Sequence, residues 1–173
     1  MAATDHILSL SDIHRSFPGV KALDGVSFQI PRATVHALVG ANGAGKSTLI
    51  KVLSGALAPD SGQIVFENQA YAPSHPSAAI KLGVSTIYQE LNLLPTRSVI
   101  ANINVGKEPN RFGFLDEKVA RQKAEKVLGQ LGASTIPLVA LVGELKVSEK
   151  QIVEIAKALI GQCKLLIMDE PTA

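Results

Sequence analysis

The chain has 173 residues, 46% apolar and 18% charged, and its 17 basic against 15 acidic side chains leave a net charge of +2. That is one ordinary domain's worth of material with enough apolar residues for a real core, and a balance so near neutral argues against a nucleic-acid binder, which needs a clustered basic surplus. The longest apolar runs, such as Leu165 to Met168, fall far short of the roughly 18 to 20 residues that span a bilayer.

The N-terminus, Met-Ala-Ala-Thr-Asp-His, has neither a basic start nor a long apolar stretch, so no secretory signal is expected. Leu8 and Leu10, then Val26, Phe28 and Ile30, alternate with polar residues, with Pro18-Gly19 and Asp24-Gly25 as turn signals; two antiparallel strands are predicted. Val35 to Val39 is denser in apolar residues and ends in glycine, as a strand buried on both faces would. Ser47 to Leu53 has helical spacing with Gly55 as a stop. Pro59-Asp60-Ser61-Gly62 is a turn before a strand over Gln63 to Glu67, and Ser77 to Leu82 is a short helix closed by Gly83 before the strand Val84 to Tyr88. Asp116 is a plausible N-cap for a helix to Leu131, ended by Gly132, and Ser148 with Gln151 has capping-box spacing for a helix reaching about Ile160. Residues 95–160 thus read as mostly helical, and Leu165 to Met168 returns to a buried-strand pattern. The order suggests an α/β core with a helical insertion. The single cysteine, Cys163, can make neither an internal disulfide nor a cysteine zinc site, so a reducing, cytoplasmic setting is the default.

Gly40-Ala41-Asn42-Gly43-Ala44-Gly45-Lys46-Ser47 fits G-x-x-x-x-G-K-[ST] between a predicted strand and a predicted helix, the context that this phosphate loop requires. Its glycines let backbone N–H groups turn inward around a phosphate, and the following helix adds partial positive charge. Lys46 would reach the β- and γ-phosphates and the Ser47 hydroxyl would ligate Mg²⁺. The bland alternative is a flexible glycine turn. Leu165 to Met168 leads into Asp169-Glu170, and in a parallel α/β sheet ligands sit at the carboxyl ends of strands, so these acids would face the loop. Asp169 would hold Mg²⁺ and Glu170 would polarise an attacking water. Alone, such a pair is more often a solvated turn. The long interval between Lys46 and Asp169 leaves room for a helical subdomain, and the Asn-Lys-x-Asp segment of a small GTPase is absent.

With Gln89 in Tyr88-Gln89-Glu90 after a strand, and SEKQIVEIAKALI over Ser148 to Ile160 shortly before the acids, the chain resembles the ATP-binding subunits of ABC transporters. HALVGANGAGKSTLIKVLSGALAPDSGQI, from His36 to Ile64, carries the resemblance, and STIYQELNLLPTRSVIANINVGKEP, VEIAKAL and LLIMDEPTA narrow it to carbohydrate importers of the ribose, galactose and xylose type. The resemblance implies a P-loop NTPase core of the ABC ATPase type, α/β, with N-terminal antiparallel strands and a helical subdomain: residues 1–94 and 161–173 as the core, 95–160 as the subdomain. It implies ATP and Mg²⁺ as cofactors, with Gly40 to Thr48 on the nucleotide and Ser47, Gln89 and Asp169 on the metal. Glu170, Gln89 and Lys46 are the implied catalytic residues. Phe17 lies where an aromatic stacks on adenine, with Val20 packing beside it; a core aromatic is the alternative. Gln89 would touch Mg²⁺ or the attacking water and link the site to the membrane partner. Leu91, Leu93 and Leu94 after it read equally as core or as part of a permease groove.

Two departures stand out. The family signature, Leu-Ser-Gly-Gly-Gln or a close variant, falls on Leu145-Lys146-Val147-Ser148-Glu149. In the family this segment contacts the γ-phosphate on the opposite domain; here Lys146 takes the serine position and Glu149 brings a negative charge, so Lys146, Val147, Ser148 and Glu149 would complete a slow or merely structural site, unless the two charges are a tolerated solvated pair. The sequence also halts at Glu170-Pro171-Thr172-Ala173, where the family continues into its D-loop and a γ-phosphate histidine; it reads as a C-terminally truncated first half, about three quarters of it. His6, His14, His36 and His75 lie too early to serve as that histidine and show no metal-ligand spacing, and His36 reads as structural. The implied function is ATP binding and hydrolysis powering sugar import, by a domain peripheral on the inner face of the membrane. Its implied partners are a second nucleotide-binding domain, transmembrane permease subunits and, indirectly, a sugar-binding protein, with no nucleic acid. The 173-residue piece alone is expected to be inactive. The alternatives are a non-catalytic nucleotide-binding remnant and a soluble non-transport ABC ATPase.

Overall fold

The alternating start folds as one long antiparallel hairpin. In the computed structural model, which describes residues 5–111 and 113–169, β1 (His6–Phe17) and β2 (Val20–Pro31) pair from Phe17↔Val20 to His6↔Pro31 around Pro18-Gly19, with Gly19 at φ +79°. The positive φ is what a tight Pro-Gly turn asks of its second residue. Asp24-Gly25 makes no strand-ending turn; it lies inside β2, beside register slips between Ile13 and Arg15. Asp12, at φ +53°, donates its N–H to Ser27 Oγ at 2.8 Å. This irregularity switches the buried parity of β1 from Leu8 and Leu10 to Ile13.

β3 (Ser61–Phe66) adds to the free side of β1, and β4 (Gln69–Ala70) completes a sheet of order β2-β1-β3-β4. Asp60 fixes that join: its N–H donates to His14 O at 2.8 Å, and its carboxylate accepts from Ser16 N at 2.7 Å and Arg15 Nη1 at 2.6 Å. α1 (Lys46–Leu53) buries Leu49, Ile50, Val52 and Leu53. Tyr71 meets Phe66 edge-on at 5.6 Å and donates its phenol to Leu53 O at 2.5 Å; burial pushes that phenol's pKa well up. α2 (Pro76–Leu82) is capped by His75, whose Nδ1 accepts from Ala78 N at 3.1 Å, and closes at Gly83 with φ +104°. These elements form one compact unit, Met1–Val84.

One expected element does not form. Residues 35–39 adopt no strand, and Val35 and Val39 are almost fully exposed. Apolar density favours a strand only where a neighbouring backbone completes the ladder, and none of the described strands pairs with this segment. His36 stacks on Phe28 with ring centroids 5.8 Å apart, a packing role.

The second unit, Ser85–Ala173, holds β5 (Val84–Ile87, starting at the boundary) paired with β8 (Leu165–Met168). Between them lie α3 (Val99–Asn104), a small hairpin of β6 (Asn110–Arg111) and β7 (Phe114–Leu115), α4 (Glu117–Gln130) and α5 (Val147–Leu159). Asp116 caps α4 by accepting from Val119 N at 3.0 Å, and Gly132 follows its end at φ +67°. Val99 and Ile103 of α3, Ala124, Val127 and Leu128 of α4, and Val153 and Ala156 of α5 make one apolar cluster.

Candidate functional site

The phosphate-loop run is exposed from Gly40 to Ala44 and passes straight into α1. Gly43 and Gly45 hold φ +81° and +86°, a region costly for any residue with a Cβ. At Gly45 space demands glycine as well, because a Cβ there would stand 2.2 Å from the Ala22 carbonyl oxygen on β2. Gly45 is also the N-cap and offers no side-chain acceptor, and the first turn of α1 has no acidic residue. The amides opening this helix therefore present unneutralised positive charge, a setting suited to an anion. Lys46 Nζ folds back to donate to Gly40 O at 2.7 Å and Ala41 O at 2.9 Å, placing the ammonium inside the loop. Ser47 is exposed beside it and Thr48 half-buried. Left-handed glycines, one of them with no room for a Cβ, a helix N-terminus and an ammonium bonded to the loop's own carbonyls form a cradle that fits a polyphosphate.

Phe17 and Val20 face each other across the hairpin end, 43% and 60% exposed. Phe17 is therefore not part of the core formed by the described residues, and part of its ring surface is open. Ala22, which touches the loop at Gly45, lies two residues further along β2. The Arg15 guanidinium carbon sits over the Phe17 ring, 5.3 Å from its centroid. The sequence reading overlooked Arg15, although residues i and i+2 of a strand share a face.

In the second unit, Asp169 N donates to Ile87 O at 2.9 Å, so β5 and β8 end side by side. Gln89, exposed two residues past β5, and half-buried Asp169 thus leave neighbouring strand ends. Glu170, Pro171, Thr172 and Ala173 lie outside the described residues. The segment after Gln89 is pinned by two side chains the sequence reading did not single out. Fully buried Asn102 accepts from Leu94 N at 2.7 Å and donates to the carbonyls of Leu94, Arg97 and Ser98. Lys157 Nζ donates to Asn92 O at 2.5 Å. Leu93 packs on the helical cluster, whereas Leu94 is 46% exposed.

In the signature segment the N-cap of α5 lies two residues before Ser148, the cap expected from the sequence. Lys146 is the N-cap, and the Glu149 carboxylate accepts from Lys146 N at 2.9 Å. The box acceptor is therefore Glu149, reaching back over the helix start, not Gln151; Lys146, Val147 and Ser148 are exposed around it. Among the described residues no His, Cys, Asp and Glu cluster suited to a metal ion occurs, and no helix is long and apolar enough to cross a membrane.

Comparison with known proteins decides the family. The family model described as ABC transporter matches residues 23–173. The chain belongs to the ABC transporter family. This ABC chain is 48% identical over 167 residues to a ribose import ATP-binding protein of Rubrobacter xylanophilus, covering 96% of the chain and 33% of that protein. It is 42% identical over 170 residues to an arabinose import ATP-binding protein of Chromohalobacter salexigens, covering 98% of the chain and 34% of the relative. A galactofuranose transporter ATP-binding protein of Escherichia coli is 44% identical over 167 residues, with 96% and 33% covered. The chain spans about a third of the length of these curated relatives. Among solved structures, the ATP-binding cassette MJ1267 in its ADP conformation superposes with a TM-score of 0.82 at 33% identity, covering 98% of this chain and 70% of that one. CbiO1 of Clostridium perfringens, part of an ABC transporter complex, gives 0.83 at 30% identity, with 98% and 67% covered. The ABC fold expected from the sequence is thus the fold observed, and it is a nucleotide-binding one.

Proposed function

We propose that this chain is the ATP-binding part of a sugar importer, where ATP binding and hydrolysis drive transport. The phosphate loop carries the reading: left-handed glycines, an uncapped helix start free of acids, and an ammonium folded inside the loop. The family, and relatives named for ribose, arabinose and galactofuranose transport, favour import of a carbohydrate. In this reading the amides of Gly40 to Thr48 hold the phosphates and Lys46 turns its ammonium from Gly40 O and Ala41 O onto phosphate oxygens. Phe17 carries the adenine, with Val20 beside it. Ser47, Gln89 and Asp169 are the residues that would hold Mg²⁺. ATP with Mg²⁺, when bound, supplies the anhydride whose cleavage releases energy. Glu170 takes a proton from water, and Gln89 orients that water.

Residues 95–160 act as the helical subdomain of a core formed by 1–94 and 161–173. A permease and a second nucleotide-binding domain are the partners, with the chain at the inner face of the membrane. At the signature, the Glu149 carboxylate already accepts an N–H at the start of α5. A negative charge there opposes a second one, so the site completed by Lys146 to Glu149 turns over slowly or is only structural.

Nucleotide titration and steady-state hydrolysis in the assembled transporter test the reading. Lys46→Ala should weaken ATP binding at least about tenfold, since charge-assisted bonds are worth roughly 1.5–3 kcal/mol. Glu170→Gln should retain binding and lose about 10²- to 10⁴-fold in rate. Unchanged ATP affinity in Lys46→Ala would refute the assignment of the loop.

A further inference from the structure

The hairpin end carries a second side chain that the nucleotide reading does not use. Arg15 lies over Phe17 with its guanidinium carbon 5.3 Å from the ring centroid, within range of a cation–π contact. Its Nη1 donates to Asp60 Oδ1 at 2.6 Å. Asp60 is itself held, because Oδ2 accepts from Ser16 N at 2.7 Å and its backbone N–H donates to His14 O at 2.8 Å. The Arg15 Nε is buried without an oxygen or nitrogen partner, so Asp60 and the electron-rich ring are the groups that orient this guanidinium. Even with Arg15 over it, Phe17 is 43% exposed. An exposed phenylalanine at a hairpin end would otherwise exchange rotamers freely and have to be fixed by its ligand.

We propose that Arg15, anchored by Asp60, is a positioning residue that presets the Phe17 ring for the base of the nucleotide. The proposal rests on the reading of Phe17 as the adenine platform. Arg15 touches neither phosphate nor metal in this scheme; it acts on base affinity through the ring alone. A purely structural Arg15–Asp60 tie predicts something different, an equal effect on every ligand of the loop.

The experiment is calorimetric titration of the full chain with ATP and separately with inorganic tripolyphosphate, for Phe17→Ala, Arg15→Gln, Arg15→Lys, Asp60→Asn and the double variant Phe17→Ala/Arg15→Gln. Phe17→Ala should weaken ATP roughly 5- to 100-fold, the range for losing an aromatic–base stack. Arg15→Gln should weaken ATP about 2- to 5-fold, the range for an exposed cation–π contact, and leave tripolyphosphate unchanged. Arg15→Lys, which keeps the cation, should recover most of the loss, and Arg15→Gln should have no further effect once Phe17 is alanine. Equal losses for ATP and tripolyphosphate, or a full Arg15→Gln effect persisting without the ring, overturn the proposal. Unchanged ATP affinity in Phe17→Ala overturns the underlying platform reading instead. Because the 173 residues include two tyrosines but no tryptophan, Phe17→Trp supplies a single indole, excited selectively at wavelengths where tyrosine does not absorb. Its quenching by acrylamide should rise when Arg15→Gln is added, and unchanged quenching also counts against a preset ring.

Discussion

Gly43 and Gly45 let backbone strain be separated from crowding within one loop. Both hold left-handed conformations, φ +81° and +86°. An alanine at either position meets the same penalty, about 1–2 kcal/mol. Their surroundings differ: a Cβ at Gly43 would have nothing within 4 Å, whereas one at Gly45 would lie 2.2 Å from the Ala22 carbonyl oxygen and 3.1 Å from Leu23 Cδ2. The first of these contacts is with backbone and cannot be relieved by a rotamer change; the start of α1 and strand β2 must separate. Overpacking of this kind adds about 1–3 kcal/mol. Gly45→Ala should therefore destabilise by about 2–5 kcal/mol and Gly43→Ala by only about 1–2 kcal/mol. Urea unfolding followed by far-ultraviolet circular dichroism measures the difference. Losses within about 0.5 kcal/mol of each other, the usual scatter of surface substitutions, would refute the argument that β2 buttresses the phosphate loop at this point.

Three further outcomes are expected. Tyr71→Phe should cost about 1 kcal/mol by leaving Leu53 O without its donor. Burial raises the Tyr71 pKa, so the unfolded chain loses the phenolic proton first, near pH ~10, and stability should fall as pH climbs beyond that value, more steeply than in Tyr71→Phe; parallel alkaline profiles would count against it. Lys146→Ser combined with Glu149→Gln should raise the hydrolysis rate of the assembled transporter, and an unchanged rate would make the two charges a solvated surface pair. The 173-residue chain by itself should be marginally stable and should associate on a sizing column as concentration rises, because Val35 and Val39 are 102% and 88% exposed; a cooperative, high-temperature melt of monomer would contradict this.

What was legible in the sequence is what residues settle with near neighbours. Asp116 and Gly132 bracket α4, and Gly83 closes α2, because a cap or a left-handed stop acts within a few residues. The left-handed glycines and the helix that follows them were legible for the same reason, being contiguous, whereas the strand expected before them does not form. Elements that depend on distant partners were not. Residues 35–39 have strand composition without a ladder. Val99–Asn104, rich in asparagine and β-branched residues, is a poor helix by propensity, yet it forms α3 around buried Val99 and Ile103 and the Asn102 hydrogen bonds. The start of α5 was misplaced because lysine is an unusual N-cap; Glu149 at the third helical position was the better signal. At the hairpin end Phe17 could be named from its motif, but its link through Arg15 to Asp60 bridges 45 residues that no periodicity connects.

The two bonds from Lys46 to Gly40 O and Ala41 O make the ammonium a counter-ion stationed in advance. A phosphate that enters exchanges one pair of acceptors for another, so the number of hydrogen bonds around that nitrogen barely changes. The gain must then come from pairing opposite charges and from the α1 amides, so affinity should drop as ionic strength rises while the enthalpy contributed by Lys46 stays small. In this loop the lysine's positive charge is already part of the folded architecture, whatever anion the proposed site then takes.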